Sequence, residues 1–524
     1  ATGVYFDSVR FGVGSTDINP PDANEETFSF KEFQLSNNSL YDNPTAQIYW
    51  LDGVNGTELG TGTESDPFQK GLTACSAPIL GNRDVIKMVD TGTTPHRLVD
   101  VGLIRFPANG TANNNFIFDG NSAKFTGSSG SSGSEWTDTG VNGEYSLSAE
   151  SNDPQRIYCC SLVSWNASYW NAIDPNYVGR LAVCRPTNGT VGSLNAGEYG
   201  HSGSTVYYKP LAGEVMANLH IEIPRRVGAL NAPVDLNTDY FLIKNLDVFC
   251  GLGSSGSGAC IDNSANGANS SIVNCRGFDG GVFCIATTNA NMIGCEGGYV
   301  RGPSAATQSF DNLHGRGGTG DILGCLSHHA VDDGISMQAH SGNIIGNISH
   351  TNGFGGSSMA GIETTGDSTG RIAFNTVIGN AGSGITLNNT IGQTAQNATN
   401  NICAFNGSHG VNANTAQATA NMDYNACYSN GGNAFNLVGT GSVTPAGVVT
   451  ADLLFDGVTA TAGIVEGRSV EGMDLLAASP ACDPDMNNVN DVISRYWGTG
   501  PRPSSKDIAV PDRMAAMGAY QKSA

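Results

Sequence analysis

The sequence predicts an all-β chain built as a parallel β-helix, a solenoid of short stacked strands, with an inserted β-rich domain. Three observations predict it. Composition comes first: 70 of 524 residues are Gly, Lys and Arg total only 25, and no long stretch has helical amphipathic spacing. Second, short apolar runs that end in Cys or Asn recur: SIVNC (271–275), NMIGC (291–295), DILGC (321–325), NIIGN (343–347), RIAFN (371–375), CAFN (403–406) and MDYN (422–425). Third, an offset series repeats beside them, in GVFCI, DGISM, AGIET, SGITL and HGVNA from residues 281, 333, 360, 383 and 409. Repeats of roughly 20–30 residues with two or three short strands each are the signature of a solenoid.

One coil cannot bury its inward face alone, so equivalent positions stack about 4.8 Å apart. Cys275, Cys295 and Cys325 are expected to form an inward thiol stack, and Asn347, Asn375, Asn406 and Asn425 to continue it as an amide ladder. Arg276 and Glu296, each following a stacked Cys, are expected to pair between coils. Thirteen cysteines is an odd number, so at least one is free or paired between chains. Their placement suggests packed thiols and synthesis in a reducing cytosol.

The formal charge of −22 argues against nucleic acid and anionic membranes, which need a basic face. No run of 18 apolar residues occurs, so no membrane insertion is expected. The opening ATGVYFDSVRF has no secretory signal pattern, and a signal removed earlier stays open. The chain divides into a leader or attachment segment (1–45), first solenoid strands and cap (46–114), an inserted β-rich domain (115–220), the main solenoid (221–440) and a closing segment (441–524).

QIYWLDGVNGTELGTGTESDPF (47–68) and GNRDVIKMVDTGT (81–93) resemble the opening of right-handed parallel β-helix proteins of the pectate-lyase-like superfamily. The ending is similar to their closing segment, through Asp491, Gly498, Gly518 and Tyr520. The resemblance covers roughly 45–524. It implies the right-handed fold and polysaccharide as partner, and leaves lyase, hydrolase, epimerase and inactive binder open. Residues 115–220 resemble the β-rich insertion of some β-helix glycosidases. There Trp136, Trp165, Trp170, Tyr207 and Tyr208 are either a sugar platform or, more simply, the insertion's own small core.

The candidate site lies in the offset series. If Leu313, Ile335 and Ile362 point inward, alternation puts His314, Arg316, Ser336, Gln338, His340, Glu363 and Thr365 on one outer face. Asp311 and Asp333 stack where that strand is entered, with Asp332 beside them. His328 and His350 occupy equivalent positions in successive coils. Each has a plain structural alternative: Asp-Gly is an ordinary turn signal, and His328 over His350 a ladder. The coincidence of several types on one face favours a site.

A uronate lyase often uses Lys, Arg or Ca²⁺, yet no lysine occurs between Lys244 and Lys506 and no dense acidic cage is evident in the sequence. Hydrolysis needs two carboxyl groups at suitable separation. Asp in one coil with Glu in the next resembles β-helix glycosidases of the β-xylosidase type. That implies Glu363 as general acid/base and Asp333 as nucleophile or water-activating base, with Asp332 its nearest substitute. The GFGGSS loop (353–358) would absorb the long gap between them. Asp311, His314, Arg316, Gln338, His328, His340 and His350 would bind substrate. No metal or cofactor is expected. The setting expected is a homotrimeric phage tailspike with virion tail or baseplate partners; a secreted bacterial hydrolase or lyase, and a non-enzymatic receptor-binding spike, are the alternatives.

Overall fold

The computed structural model describes residues 47–437 except 58, 70–83, 93, 107–115, 149–153, 155, 162–182, 186–188, 226–231, 252–257, 264, 301–309, 354–358, 390–396, 414–421 and 423–424; beyond 437 it describes residue 450 and the strands Asp474–Leu475 and Tyr520–Gln521. The leader, Trp165, Trp170 and most of the closing segment, including Asp491, Gly498 and Gly518, lie outside these residues.

Three ten-stranded sheets run the length of the described solenoid. Each coil contributes one strand to each, as in Ile322–Leu323, then Leu326–His328, then Ile335–Gln338. These are strands of the first, third and second sheet respectively, and every pairing between coils is parallel. Parallel strands joined by crossovers in one sheet coil right-handedly. The offset series falls in register as expected: Ile285, Leu313, Ile335, Ile362, Ile385 and Val411 are successive partners. All six are buried in one continuous core with Ile322, Ile344 and Ile372 of the first sheet.

Two corners let the chain turn within two residues. Between the first and third sheets a residue of positive φ precedes an inward side chain: Asn274 before Cys275, Gly294 before Cys295, Gly346 before Asn347, Phe374 before Asn375, Asn400 before Asn401. A left-handed residue redirects the strand, and the next side chain then faces the lumen corner, where it must satisfy the turn. The amides do so in a ladder. Asn347 Nδ2 donates to Asn375 Oδ1 at 3.0 Å, Asn375 to Asn401 at 2.9 Å and Asn401 to Asn425 at 3.0 Å.

Asn406 is therefore not a rung of this ladder, as the sequence pattern had it. It belongs to a second one at the corner between the third and second sheets, running Asn352, Asn380, Asn406, Asn430. The two corners share one chemistry, which made CAFN look like the first series. The expected Arg276–Glu296 pair is also replaced. Arg276 bonds Asp247 of the preceding coil, and Glu296 Oε1 lies 3.0 Å from His328 Nε2.

The inserted domain is entered later than expected. Phe116–Asp119 and Lys124–Thr126 are still solenoid strands, and the excursion leaves after Thr126 and returns through Leu219–Pro224. It holds two four-stranded sheets, with antiparallel pairings. Trp136, Tyr199 and Tyr208 are buried in its own core, so the simpler reading holds for Trp136 and Tyr208, while Tyr207 is half-buried on the opposite face. Arg97 fastens this domain to the solenoid through paired bonds of 3.0 Å to the buried Glu222, which also accepts from Ser128 and His220. These donors hold the Glu222 carboxyl down at about 2 despite its burial. Arg156 and Tyr158 dock it on the corner at 279–281, donating to the carbonyls of Gly280, Gly281 and Asp279.

Two outcomes check this packing. All ten described cysteines whose side chains are placed are buried in positions that suit packed thiols, so thiol titration of denatured, unreduced protein should find most of the 13 cysteines reactive. Asn375→Ala removes one rung and strands its neighbours' groups, so denaturant melting should show a loss of about 1–3 kcal/mol.

Candidate functional site

The second sheet's outer face carries two rows. His314, Ser336, Glu363 and Thr386 are partners in one; Arg316, Gln338, Thr365 and Asn388 are partners in the other. Leu313, Ile335 and Ile362 point inward, so alternation delivers the expected face. Asp311, Asp332 and Asp333 sit at the corner where the chain enters these strands.

The carboxyl groups link coil to coil. Asp311 Oδ1 accepts from the Asp333 backbone N–H at 3.3 Å, and Asp333 Oδ1 accepts from Ala360 N–H at 2.6 Å. These carboxyls join coils through backbone N–H groups as the amides do, but with the opposite polarity, the acceptor lying in the earlier coil. Asp311 Oδ2 accepts from His314 Nδ1 at 3.0 Å, and the His314 ring stacks on Phe283 with centroids 4.0 Å apart. His314 Nε2 is buried without a hydrogen-bond partner. The Asp333 carboxyl bonds Glu363, and Glu363 also bonds the Asn388 amide from the following coil. Asn388 went unnoticed in the sequence, where nothing marks it apart from other Asn residues in the repeats.

Burial and mutual repulsion raise the proton affinity of this group. Asp333, 3% exposed, is pushed well up by desolvation first, then by Glu363 and Asp311. Asp332, only partly buried, is raised to about 7 by desolvation and then by Asp311 and Glu363. Glu363 is raised by desolvation, against which the bonds from Asp333 and Asn388 pull it back. Asp333 and Glu363 lie in close contact, and both carboxyls are drawn above the ordinary range, Asp333 the more strongly. Asp333 is buried behind the face, and Asp332 and Glu363 are the half-buried carboxyls at its surface.

Three expected members are elsewhere. His340 is buried at the turn leaving the second sheet, where Nδ1 accepts from Gly318 N–H at 3.0 Å and Nε2 donates to the Gly320 carbonyl at 2.8 Å. Desolvation lowers its pKa to about 4, so it is a neutral clamp between coils. His328 and His350 lie on the third sheet, in a buried ring ladder that runs Phe249, Phe278, His328, His350. Gly298 occupies the rung between Phe278 and His328; a Cβ there would stand 2.5 Å from His328 Cε1. These imidazoles replace phenyl rings in a stack, because alternation on a different sheet turns them away from Asp333. Arg316 and Gln338 are exposed on the expected face.

One oxygen each of Asp311, Asp332 and Asp333 lie within 4.8 Å of one another. The fold thus assembles an acidic group that was not evident along the chain, of hard oxygen donors suited to a divalent cation. The inserted domain docks on the same corner of the solenoid two coils earlier, at 279–281, about 10 Å along the axis at one coil per strand spacing.

No family model matches the chain, and no curated protein sequence matches it. Solved structures do. The pectate lyase Pel9A is 11% identical with a TM-score of 0.42, covering 82% of this chain and 92% of that one. XylC in complex with xylose is 11% identical, TM-score 0.39, covering 73% and 75%. A glycoside hydrolase is 12% identical, TM-score 0.33, covering 75% and 96%. The chain is a right-handed parallel β-helix. At these identities the likeness is one of fold and says nothing of the reaction.

The raised carboxyls carry a signed pH dependence. A carboxyl with a folded pKa above its unfolded value keeps the folded state protonated longer, so its burden is absent below the ordinary range of about 4 and grows as pH climbs toward the raised value. Asp332→Asn should therefore match wild type in stability below pH ~4, exceed it increasingly up to pH ~7, and hold a constant margin above that. Denaturant titrations across that window, comparing the two proteins, check it.

Proposed function

We propose that the protein binds and hydrolyses a glycan at the corner where the third sheet passes into the second, with Asp332 as general acid and Glu363 as nucleophile or water-activating base. One observation carries this: two half-buried carboxyls share a surface, Asp332 drawn up to about 7 and Glu363 raised less, its burial offset in part by bonds from both neighbouring coils. Glycoside hydrolysis needs that division, since one carboxyl must deliver a proton to the leaving oxygen while the other is ionised. Asp332 carries its proton near neutral pH. Asp333 and Asn388 donate to Glu363 and favour its carboxylate. Arg316 and Gln338, exposed beside the pair, would orient the sugar. The separation of the two carboxyls across the bound ring would set retention or inversion.

The setting proposed with this reading is a phage tailspike assembled as a homotrimer in the host cytosol. The burial of the cysteines as packed side chains supports it, since packed thiols suit a reducing compartment. A secreted bacterial enzyme and a non-catalytic receptor-binding spike are the alternatives. Incubation with a panel of capsular and envelope polysaccharides separates them. New reducing ends mean hydrolysis, unsaturated uronate absorbance means a lyase, and retention without cleavage means an adhesin. Light scattering at about three times 54.2 kDa would support the spike.

On a substrate so found, Glu363→Gln and Asp332→Asn should each lower turnover at least ~10²-fold with the circular dichroism unchanged. Asp333→Asn should cost less, because an amide N–H can replace the carboxyl O–H as donor to Glu363. Arg316→Ala should raise KM more than it lowers kcat. Steady-state kinetics of the four variants check this ordering, and a larger loss in Asp333→Asn than in Asp332→Asn would restore the roles expected from sequence.

A further inference from the structure

Among the described residues, the surface around Asp332 and Glu363 is acidic or uncharged but for Arg316. Ser336 and Thr386 flank Glu363 in its row, and Gln338, Thr365 and Asn388 fill the parallel one. Arg316, at the end of its strand, is the one cation among the described outward residues of these four strands. Arg276 is committed to Asp247 on the third sheet, and Arg371 donates to Thr399 beside the first. No lysine occurs between Lys244 and Lys506, so that stretch can bring no ammonium to the site.

A second feature points to the kind of ligand. His314 is 3% exposed, its Nδ1 donates to Asp311 of the acidic group, and its Nε2 has no partner. With Nδ1 engaged by Asp311, Nε2 is the ring atom left for a further polar partner. The net charge of −22 adds a field that opposes the approach of any polyanion within a Debye length.

We propose that the glycan segment crossing Asp332 and Glu363 is uncharged or amine-bearing, and that polyuronates and sulfated glycans are excluded. This rests on the reading of the site as glycan-binding. Among the described residues this face presents two carboxyls with a single guanidinium at the margin, and like charges brought together at an interface cost several kcal/mol.

The test is binding of the full chain to an oligosaccharide array holding neutral, amino, uronic and sulfated members, in EDTA and separately in calcium. Binding confined to neutral or amino members in both buffers is the expected result. In the Asp332→Asn/Glu363→Gln double variant, uronic analogues of the best ligand should gain at least about tenfold. Wild-type affinity for the best neutral ligand should also be insensitive to salt, a measurement that does not depend on the variant folding. Uronic or sulfated members bound by wild type, in EDTA or through calcium, overturn the proposal and leave glycan binding standing. Binding to no class overturns the glycan reading itself.

Discussion

Everything in this molecule depends on how one coil satisfies the next. A coil of three short strands has too little inward surface to be stable alone, and its two tight corners leave backbone groups that water cannot reach. The amide ladders solve the second problem while stacking solves the first. Each Asn Oδ1 accepts from both the backbone N–H and the side-chain amide of the preceding rung, as Asn375 does for Asn347. Neighbouring coils are thereby locked in register at the corner, and the register places every outward side chain.

The acidic site reuses this device with a change of chemistry. Asp311 and Asp333 also accept from a neighbouring coil's backbone, but from the following coil where each Asn accepts from the preceding one, and a carboxyl lacks the amide's donor and brings charge. Stacking carboxyls at one corner leaves acids to repel one another inside a partly dry pocket. That makes the corner a poor structural joint and a good reservoir of protons. A strained electrostatic arrangement maintained by a rigid scaffold is what acid–base chemistry requires.

The crowd of histidines between 328 and 350 resolves along the same lines. Ring stacking on the third sheet takes His328 and His350, and a backbone clamp takes His340. The functional candidate is His314, which lies outside that crowd and is tied to Asp311. Residues close in sequence are carried to three different faces of the solenoid, because a coil turns through a full circuit in about as many residues as the crowd spans.

The sequence by itself determined the solenoid, the inward row of Leu313, Ile335 and Ile362, the thiol-to-amide succession and the region of the acids. Those features repeat, and a repeat forced by burial is visible as periodicity. It also placed Asp332, Asp333, Glu363 and Arg316 together, because alternation along a strand has period two wherever one inward residue is known. Only the tertiary structure decided that Asn406 belongs to the second corner, since both corners use a left-handed residue followed by Asn. Only it showed Glu296 with His328, Asn388 on Glu363, and Asp333 behind Asp332. Those contacts depend on coil length, which varies with each loop, and on how deeply each carboxyl is buried. Depth sets proton affinity, and it is a property of neighbours that periodicity does not name.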